Sequence, residues 1–314
     1  MNLLTHLKLL RGLVLAVGLI LVGTNAVHAQ IFVTVNPASG NDSVAEYGLD
    51  GSLINSNLVS LPNNDLAGIA VSSSDLFVAN QATGVIGEYT TSGQAVNASL
   101  LTGLAGPSGI AISGSNLFET NFVGSSSGNS IGEYTTSGAV VNASLVKNLS
   151  EPNAIVVSGS DLFVENYNAG TVGEYTTSGA TVNSSLITGL GNEVGFMAVS
   201  GSDLFIANAS KGTIEEFTTS GTLVNSSLIS GLNLPIGIAI SGSDLFVANG
   251  GSGVIGEYTL SGGTVNADLI TGVNRPLDIA VEAVPEPSTW MLLGVAVAFF
   301  VWLRVGRGVH RRSL

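Results

Sequence analysis

The sequence predicts an all-β fold: a six-bladed β-propeller of four-stranded antiparallel blades, bracketed by an export leader and one C-terminal hydrophobic helix. Three observations carry this reading. One unit recurs six times, each unit holds four short runs rich in Ile, Val, Phe and Tyr, and the strand missing from the start of the array reappears at its end.

The repeat is anchored by Glu46-Tyr47, Glu88-Tyr89, Glu133-Tyr134, Glu174-Tyr175, Glu216-Phe217 and Glu257-Tyr258, whose aromatic residues are spaced by 42, 45, 41, 42 and 41 positions. Within each unit the apolar runs are separated by Ser/Gly, Asn/Gly and Thr-Ser-Gly turn signals. In 109–121, for example, Ile110 and Ile112 precede the Ser113-Gly114-Ser115 turn, and Leu117 and Phe118 follow it. Turns this short leave no room for crossover helices, so the four runs form an antiparallel meander. The first two runs are apolar on both faces, as strands packed between neighbouring sheets must be, and the other two alternate with polar residues. Four strands at a period near 42 residues is the pattern of a propeller blade.

The ends of the array predict closure. The chain after residue 29 opens with a second strand, Ile31-Phe32-Val33-Thr34-Val35-Asn36, and the missing first strand is Pro276-Leu277-Asp278-Ile279-Ala280-Val281 at the far end. A ring completed in this way leaves no exposed seam of unpaired backbone to invite aggregation.

Composition sets outer bounds. The chain of 314 residues has no cysteine and is only 10% charged, against about 25% in an ordinary soluble domain. These features argue against a disulfide-stapled scaffold, a thiol enzyme and a Cys-ligated zinc site. Only Lys147, Lys211 and Arg275 oppose all 22 acidic residues between Gln30 and Thr289, so the body has a formal charge of three minus 22, or -19. Such a surface does not bind nucleic acid through a basic patch.

The two ends read as addresses. Residues 1–29 carry Lys8 and Arg11, then the apolar stretch from Gly12 to Gly23, then Ala26-Val27-His28-Ala29 before Gln30, the order of a signal peptide cleaved after Ala29 by signal peptidase. Residues 284–314 hold Val284-Pro285-Glu286-Pro287-Ser288, an apolar run of 14 residues from Trp290 to Leu303, and Arg304, Arg307, Arg311 and Arg312. The run reaches about 21 Å as a helix, and the arginines keep the C-terminus cytoplasmic and the body outside. This tail resembles the PEP-CTERM sorting signal of Gram-negative bacteria. The resemblance implies anchorage in the inner membrane, recognition by an exosortase that removes the helix, and delivery to the cell surface or exopolysaccharide matrix.

Residues 30–283 are similar to NHL and related six-bladed propeller repeats, on Pro107-Ser108-Gly109-Ile110-Ala111-Ile112, Asp244-Leu245-Phe246-Val247-Ala248-Asn249 and Ile255-Gly256-Glu257-Tyr258. Two departures stand out: Asn follows the second strand where that family has Asp, and the Arg before the third strand is missing.

Chemistry is sparse. His6, His28 and His310 all lie in the addresses, so the body has no imidazole for acid-base catalysis or metal ligation. This separates it from virginiamycin B lyase-like propellers, which the likeness would have rely on a histidine. Gluconolactonase-like propellers also resemble this fold and imply a divalent cation held by Glu, Asn and Asp at the central channel. At the corresponding channel mouth the residues available for a polar pocket are Asp65, Glu151, Asn153, Glu193, Arg275 and Asp278. They follow no recognised motif, and turn or rim roles compete with binding. The Asn residues that end the second strands are expected in turns. The six Glu residues of the repeat are expected to accept hydrogen bonds from neighbouring hydroxyls or to face solvent. Triplets such as Asn97-Ala98-Ser99 and Asn183-Ser184-Ser185 belong to the repeat's strand and turn composition.

The expected function is an exported, non-enzymatic binding or scaffolding module, with polysaccharide or another surface protein as partner and no resident catalytic or metal group. The rival expectation is a carboxylate- or metal-dependent lactonase or lyase.

Overall fold

The computed structural model describes residues 29–282 apart from Ser39, 62–64, Ser73 and 124–128. The leader cleavage site's upstream side, the Pro-Glu-Pro motif and the apolar C-terminal run therefore lie outside the described residues. The chain forms strands β1 (Gln30–Val35), β2 (Asp42–Gly48), β3 (Leu53–Leu61), β4 (Leu66–Ser72), β5 (Asp75–Asn80), β6 (Val85–Thr90), β7 (Ala95–Leu101) and β8 (Pro107–Ser113). It continues through β9 (Asn116–Asn121), β10 (Ser130–Thr135), β11 (Val140–Lys147), β12 (Pro152–Ser158), β13 (Asp161–Asn166), β14 (Thr171–Thr176), β15 (Thr181–Ile187) and β16 (Val194–Ser200). The last third holds β17 (Asp203–Asn208), β18 (Thr213–Thr218), β19 (Leu223–Ser230), β20 (Pro235–Ser241), β21 (Asp244–Asn249), β22 (Val254–Thr259), β23 (Thr264–Ile270) and β24 (Pro276–Val281).

These strands make six four-stranded sheets. Five are consecutive meanders, and the first has the order β24-β1-β2-β3. The C-terminal strand thus completes the N-terminal blade, with Ile31 opposite Val281 and Val33 opposite Ile279 in antiparallel register. The innermost strands β4, β8, β12, β16, β20 and β24 touch one another in that cyclic order, with β24 back against β4. They wall a central channel.

Packing between blades follows from one repeated aromatic. Phe32, Phe77, Phe118, Phe163, Phe205 and Phe246 sit at the middle of the second strands and are at most 1% exposed. Each lies against the next blade: Phe32 packs with Leu66, Ile69 and Tyr89, and Phe246 packs across the seam with Ile31 and Ile279. A buried Phe contributes about 1.5–3 kcal/mol through apolar transfer, and here that gain exists only when the neighbouring blade is in place.

A second contact repeats around the ring. Gly51, at φ +80° in the turn after β2, approaches the Leu269 backbone carbonyl of the last blade. The equivalent glycines of the other blades, with φ between +82° and +86°, meet Leu58, Leu100, Leu145, Leu186 and Leu228 of the preceding blade. A Cβ at any of the six would fall within 3.0 Å of that leucine, and the left-handed backbone disfavours a side chain in any case.

The outermost strands β3, β7, β11, β15, β19 and β23 are exposed along most of their length. Their unpaired edges are broken by a bulge where Glu46, Glu88, Glu133, Glu174, Glu216 and Glu257 oppose Asn55, Asn97, Asn142, Asn183, Asn225 and Asn266. At each bulge the Asn Oδ1 accepts the N–H two residues on, as from Ser99 to Asn97 at 3.2 Å. The Asn-x-Ser triplets that begin at Asn97, Asn142, Asn183 and Asn225 are four of these bulges, which interrupt the regular edge that another strand would need for pairing.

Deletion of Leu277 to Val281 is expected to leave the inner edge of β1 unpaired and Phe246 uncovered. The measurement is size-exclusion chromatography with thermal melting, and the expected outcome is aggregated or unfolded protein; a truncated chain that stays monomeric with an unchanged melt would refute seam closure by β24.

Candidate functional site

The candidate site lies at the end of the ring where the innermost strands begin and the second strands finish. Here the residue preceding each innermost strand forms a recurring clasp. The carbonyls of Asp65, Gly106, Glu151, Glu193, Leu234 and Arg275 accept the N–H groups of Gln81, Phe122, Tyr167, Ala209, Gly250 and Asn36, at 2.8–3.2 Å. Gly106, Glu151, Glu193, Leu234 and Arg275 adopt φ between +51° and +70° to do so. For the four non-glycine residues this left-handed backbone costs on the order of 1–2 kcal/mol each, and it fixes where their side chains leave the chain.

A cavity of about 390 Å³ opens inside this rim. Its polar lining comes from Asp65, Gln81, Ser108, Asn153, Tyr167 and Glu193, and its apolar lining includes Phe122, Phe196, Leu234, Ile236 and Leu277. The polar groups belong to four successive blades and the aliphatic wall to the blades of β20 and β24, so the cavity is amphipathic across its width. Phe122 and Tyr167 meet edge to face, with ring centroids 6.1 Å apart and planes at 74°. Ser108 Oγ donates to Asn153 Oδ1 at 2.8 Å. This leaves the Asn153 amide nitrogen for other partners.

Of the residues singled out from sequence, the structure brings Asp65, Asn153 and Glu193 together on the cavity wall. Glu151 and Arg275 hold clasp positions at the rim outside that wall. Arg275 acts on Asp65, whose carboxyl is nonetheless pushed up by burial and by Asp42. Asp42 Oδ2 takes the N–H groups of Asp65 and Leu66 at 2.6 and 2.9 Å, which fixes the start of β4.

Asp278 is absent from the wall. It is buried between β24 and β4, where its Oδ2 accepts Ile69 N–H at 3.0 Å and its Oδ1 accepts Ile279 N–H at 2.9 Å. Thr34 Oγ1 accepts Asp278 N–H at 2.9 Å and donates to Ala67 O at 3.0 Å. Asp278 therefore ties the first blade to the second, and burial pushes its carboxyl up to about 7 despite those two backbone donors.

The Asn row is structural, as expected. Asn80, Asn121, Asn166, Asn208 and Asn249 are nearly inaccessible, and each Oδ1 accepts a backbone N–H of the adjoining loop. Among the repeated Glu residues, Glu133 accepts the Asn116 amide at 3.1 Å. In the blades where Asp75, Asp161, Asp203 and Asp244 replace that Asn, burial and then the facing Asp raise the Glu pKa.

Sequence reasoning passed over Gln81, Phe122 and Tyr167. The signal for them was present: the position four residues after the buried Phe reads Asn36, Gln81, Phe122, Tyr167, Ala209 and Gly250, varying while its neighbours repeat. It also passed over two buried carboxyls. Glu119 stands where other second strands carry Val or Ile, and Glu165 where they carry Ala or Thr. Glu119 Oε1 accepts the Asn121 amide at 2.7 Å while Oε2 has no partner, and burial pushes its pKa up to about 8. Glu165 has no partner of good geometry on either oxygen. Burial raises its pKa well above the ordinary value, and the nearby Asn153 amide offsets this only in part. Among the described residues no three His, Cys, Asp or Glu side chains converge as a metal-ligand set.

Because Glu119 and Asp278 hold protons more tightly when folded, the unfolded chain releases them first as pH rises. These two groups thus favour the fold most in mild acid, and their contribution is lost between about pH 4 and pH 8. Glu119→Gln keeps the acceptor for Asn121 and removes one such group. In urea titrations it is expected to be near neutral at pH 5 and stabilising by on the order of 4 kcal/mol at pH 9. Equal effects at both pH values would show that Glu119 is not protonated in the fold.

Comparison with known proteins agrees with both halves of the chain. Residues 283–305 match the PEP-CTERM protein-sorting motif. No curated protein matches by sequence. Solved structures share the fold at low identity. A chain of a nidogen/laminin complex superposes at TM-score 0.68 with 14% identity, covering 81% of this chain and 98% of its own. A gluconolactonase from Xanthomonas campestris gives 0.58 and 14%, covering 81% and 89%. A catalytically inactive virginiamycin B lyase from Staphylococcus aureus with quinupristin gives 0.54 and 20%, covering 78% and 86%. The chain is a six-bladed β-propeller carrying a PEP-CTERM protein-sorting motif, which implies an exported, exosortase-sorted protein.

Proposed function

We propose that the propeller acts at the cell surface or in the extracellular matrix as a non-enzymatic binding module, with the channel-mouth cavity as its ligand site. The observation that supports this reading most is the cavity itself. Its volume lies in the range of small-ligand pockets, and its lining pairs aromatic rings with separate hydrogen-bonding groups. Those polar groups are spread over several blades, an arrangement suited to orienting a ligand by many weak contacts. In this reading signal peptidase removes residues 1–29, the tail holds the chain in the inner membrane, and an exosortase then releases it.

Two measurements test the reading. Cell fractionation is expected to place the protein in the surface or matrix fraction of cells with an active exosortase and in the inner membrane of cells without one. Purified protein is expected to show no turnover of lactone or ester substrates with added Ca²⁺ or Mn²⁺. Turnover that is lost in Glu193→Ala would assign the cavity to a hydrolase or lyase instead, and protein confined to the inner membrane of exosortase-active cells would overturn the sorting step.

A further inference from the structure

Resting on the reading that the cavity is a ligand site, the charge around Tyr167 narrows the ligand class. Burial first, and then Glu193, Glu165 and Glu151, raise the pKa of the Tyr167 hydroxyl, whose ring lines the cavity beside Phe122. Among the described residues no Lys or Arg side chain lines the cavity. Among the described residues the ion pair found is Lys211 with Glu215, so that cation is already engaged. Arg275 offsets Asp65 on the other side of the mouth. No cation on the wall therefore offsets Glu193 beside Tyr167. The formal charge of -19 on the body adds a field of the same sign.

Glu165 supplies an independent observation. It is at least nine-tenths buried, neither of its oxygens has a hydrogen-bond partner of good geometry, and the group that partly offsets its burial is Asn153, a residue of the cavity wall. A buried carboxyl without a partner is costly. Glu119 and Glu215, also buried in this fold, each have one, an amide and an ammonium respectively. Glu165 lacks such a partner next to the cavity.

We propose that the cavity binds a small organic ammonium ion, seated against Tyr167 and Phe122 and balanced by Glu193, Glu165 and Glu151. Aromatic faces and carboxylates together suit a cation with apolar substituents. A hard divalent ion needs six to eight converging oxygens, and the carboxylates here surround a phenol instead of a common point. Anionic ligands are disfavoured by the same charges. Tyr167 stands just past the strand that carries Glu165, and the same hydroxyl feels Glu193 before β16 and Glu151 before β12. An ammonium brought among them favours ionised Glu165, so binding releases a proton and tightens as pH rises.

The test is calorimetric titration of the full-length protein in detergent with choline and with butylammonium, and with maltose and Ca²⁺ as alternatives. Both ammonium probes are expected to bind, more weakly at high salt. Tyr167→Leu and Glu193→Gln should each weaken them by about tenfold or more. Glu257→Gln, at the opposite end of the ring, should leave binding unchanged. Glu165→Gln should remove the rise in affinity between pH 5 and pH 8 even if some affinity remains. Ammonium binding that none of the three cavity changes alters would overturn the assignment, as would no ammonium binding at all. Cavity-dependent binding of maltose or Ca²⁺ without ammonium binding overturns the ligand class while leaving the binding module in place. Lactone turnover, by contrast, would remove the reading beneath it.

Discussion

The antiparallel pairing of β24 with β1 is the interaction on which the rest of the molecule depends. Without it, five blades and most of a sixth form an open arc, and the two blades at the seam lose their shared core. With it, Phe246 is covered by Ile31 and Ile279 and Gly51 closes on Leu269. The hydrogen bonds of Asp278 then join β24 to β4. The Phe and Gly contacts at the seam have counterparts around the ring, and the Asp278 carboxylate is the one addition, standing where the other blades carry Gly, Ala or Phe. It completes a cycle in which every blade supplies half of its neighbour's core. A protein with no cysteine can be held in this way, because the constraint that a disulfide would impose on the unfolded chain is replaced by mutual burial in the folded one.

The architecture was legible in the sequence because it is written six times. Repetition let the recurrent Glu-aromatic pair, the apolar first two strands and the displaced first strand be read against each other, and the sheet order agrees with that reading strand for strand. The six Asn-x-Ser or related triplets were visible as well, yet their cause was not. They bulge only when paired with the third strand, and the Asn Oδ1 to N–H bond that shapes them has no signature apart from the fold. Asp278 was read as a channel-mouth group because its row borders the lumen. Its side chain turns between blades and finds two backbone donors there, a choice set by tertiary packing.

The site depends on positions where the repeats disagree. Residues that build the ring are held nearly constant: the buried Phe, the turn glycine, the recurrent Asn. Residues that line the cavity differ from blade to blade, as in Gln81, Phe122, Tyr167 and Ala209. In a six-fold scaffold an identical ring of side chains would give a symmetric channel. Departures from the repeat make one side of the mouth polar and the other aliphatic. The left-handed clasp residues fit the same division, since their carbonyls do the same work in every blade while their side chains range from Gly106 to Glu193 to Arg275.

The buried acids sharpen that division between scaffold and site. Glu119, Glu165 and Glu215 each interrupt a strand position that elsewhere carries a small or apolar residue. Two of these burials are answered locally: Lys211 reaches Glu215 at 2.7 Å, and Asn121 donates to Glu119 at 2.7 Å. Glu165 has no partner of good geometry and only a partial offset from Asn153, although an Ala or Thr at its position serves five other blades. A fold shaped only for stability has no use for an unanswered carboxyl behind Asn153, and strongly perturbed groups beside a cavity are where function is concentrated. Stability and site are thus built from one strand motif, separated by whether the chain itself supplies the partner to the charge it buries.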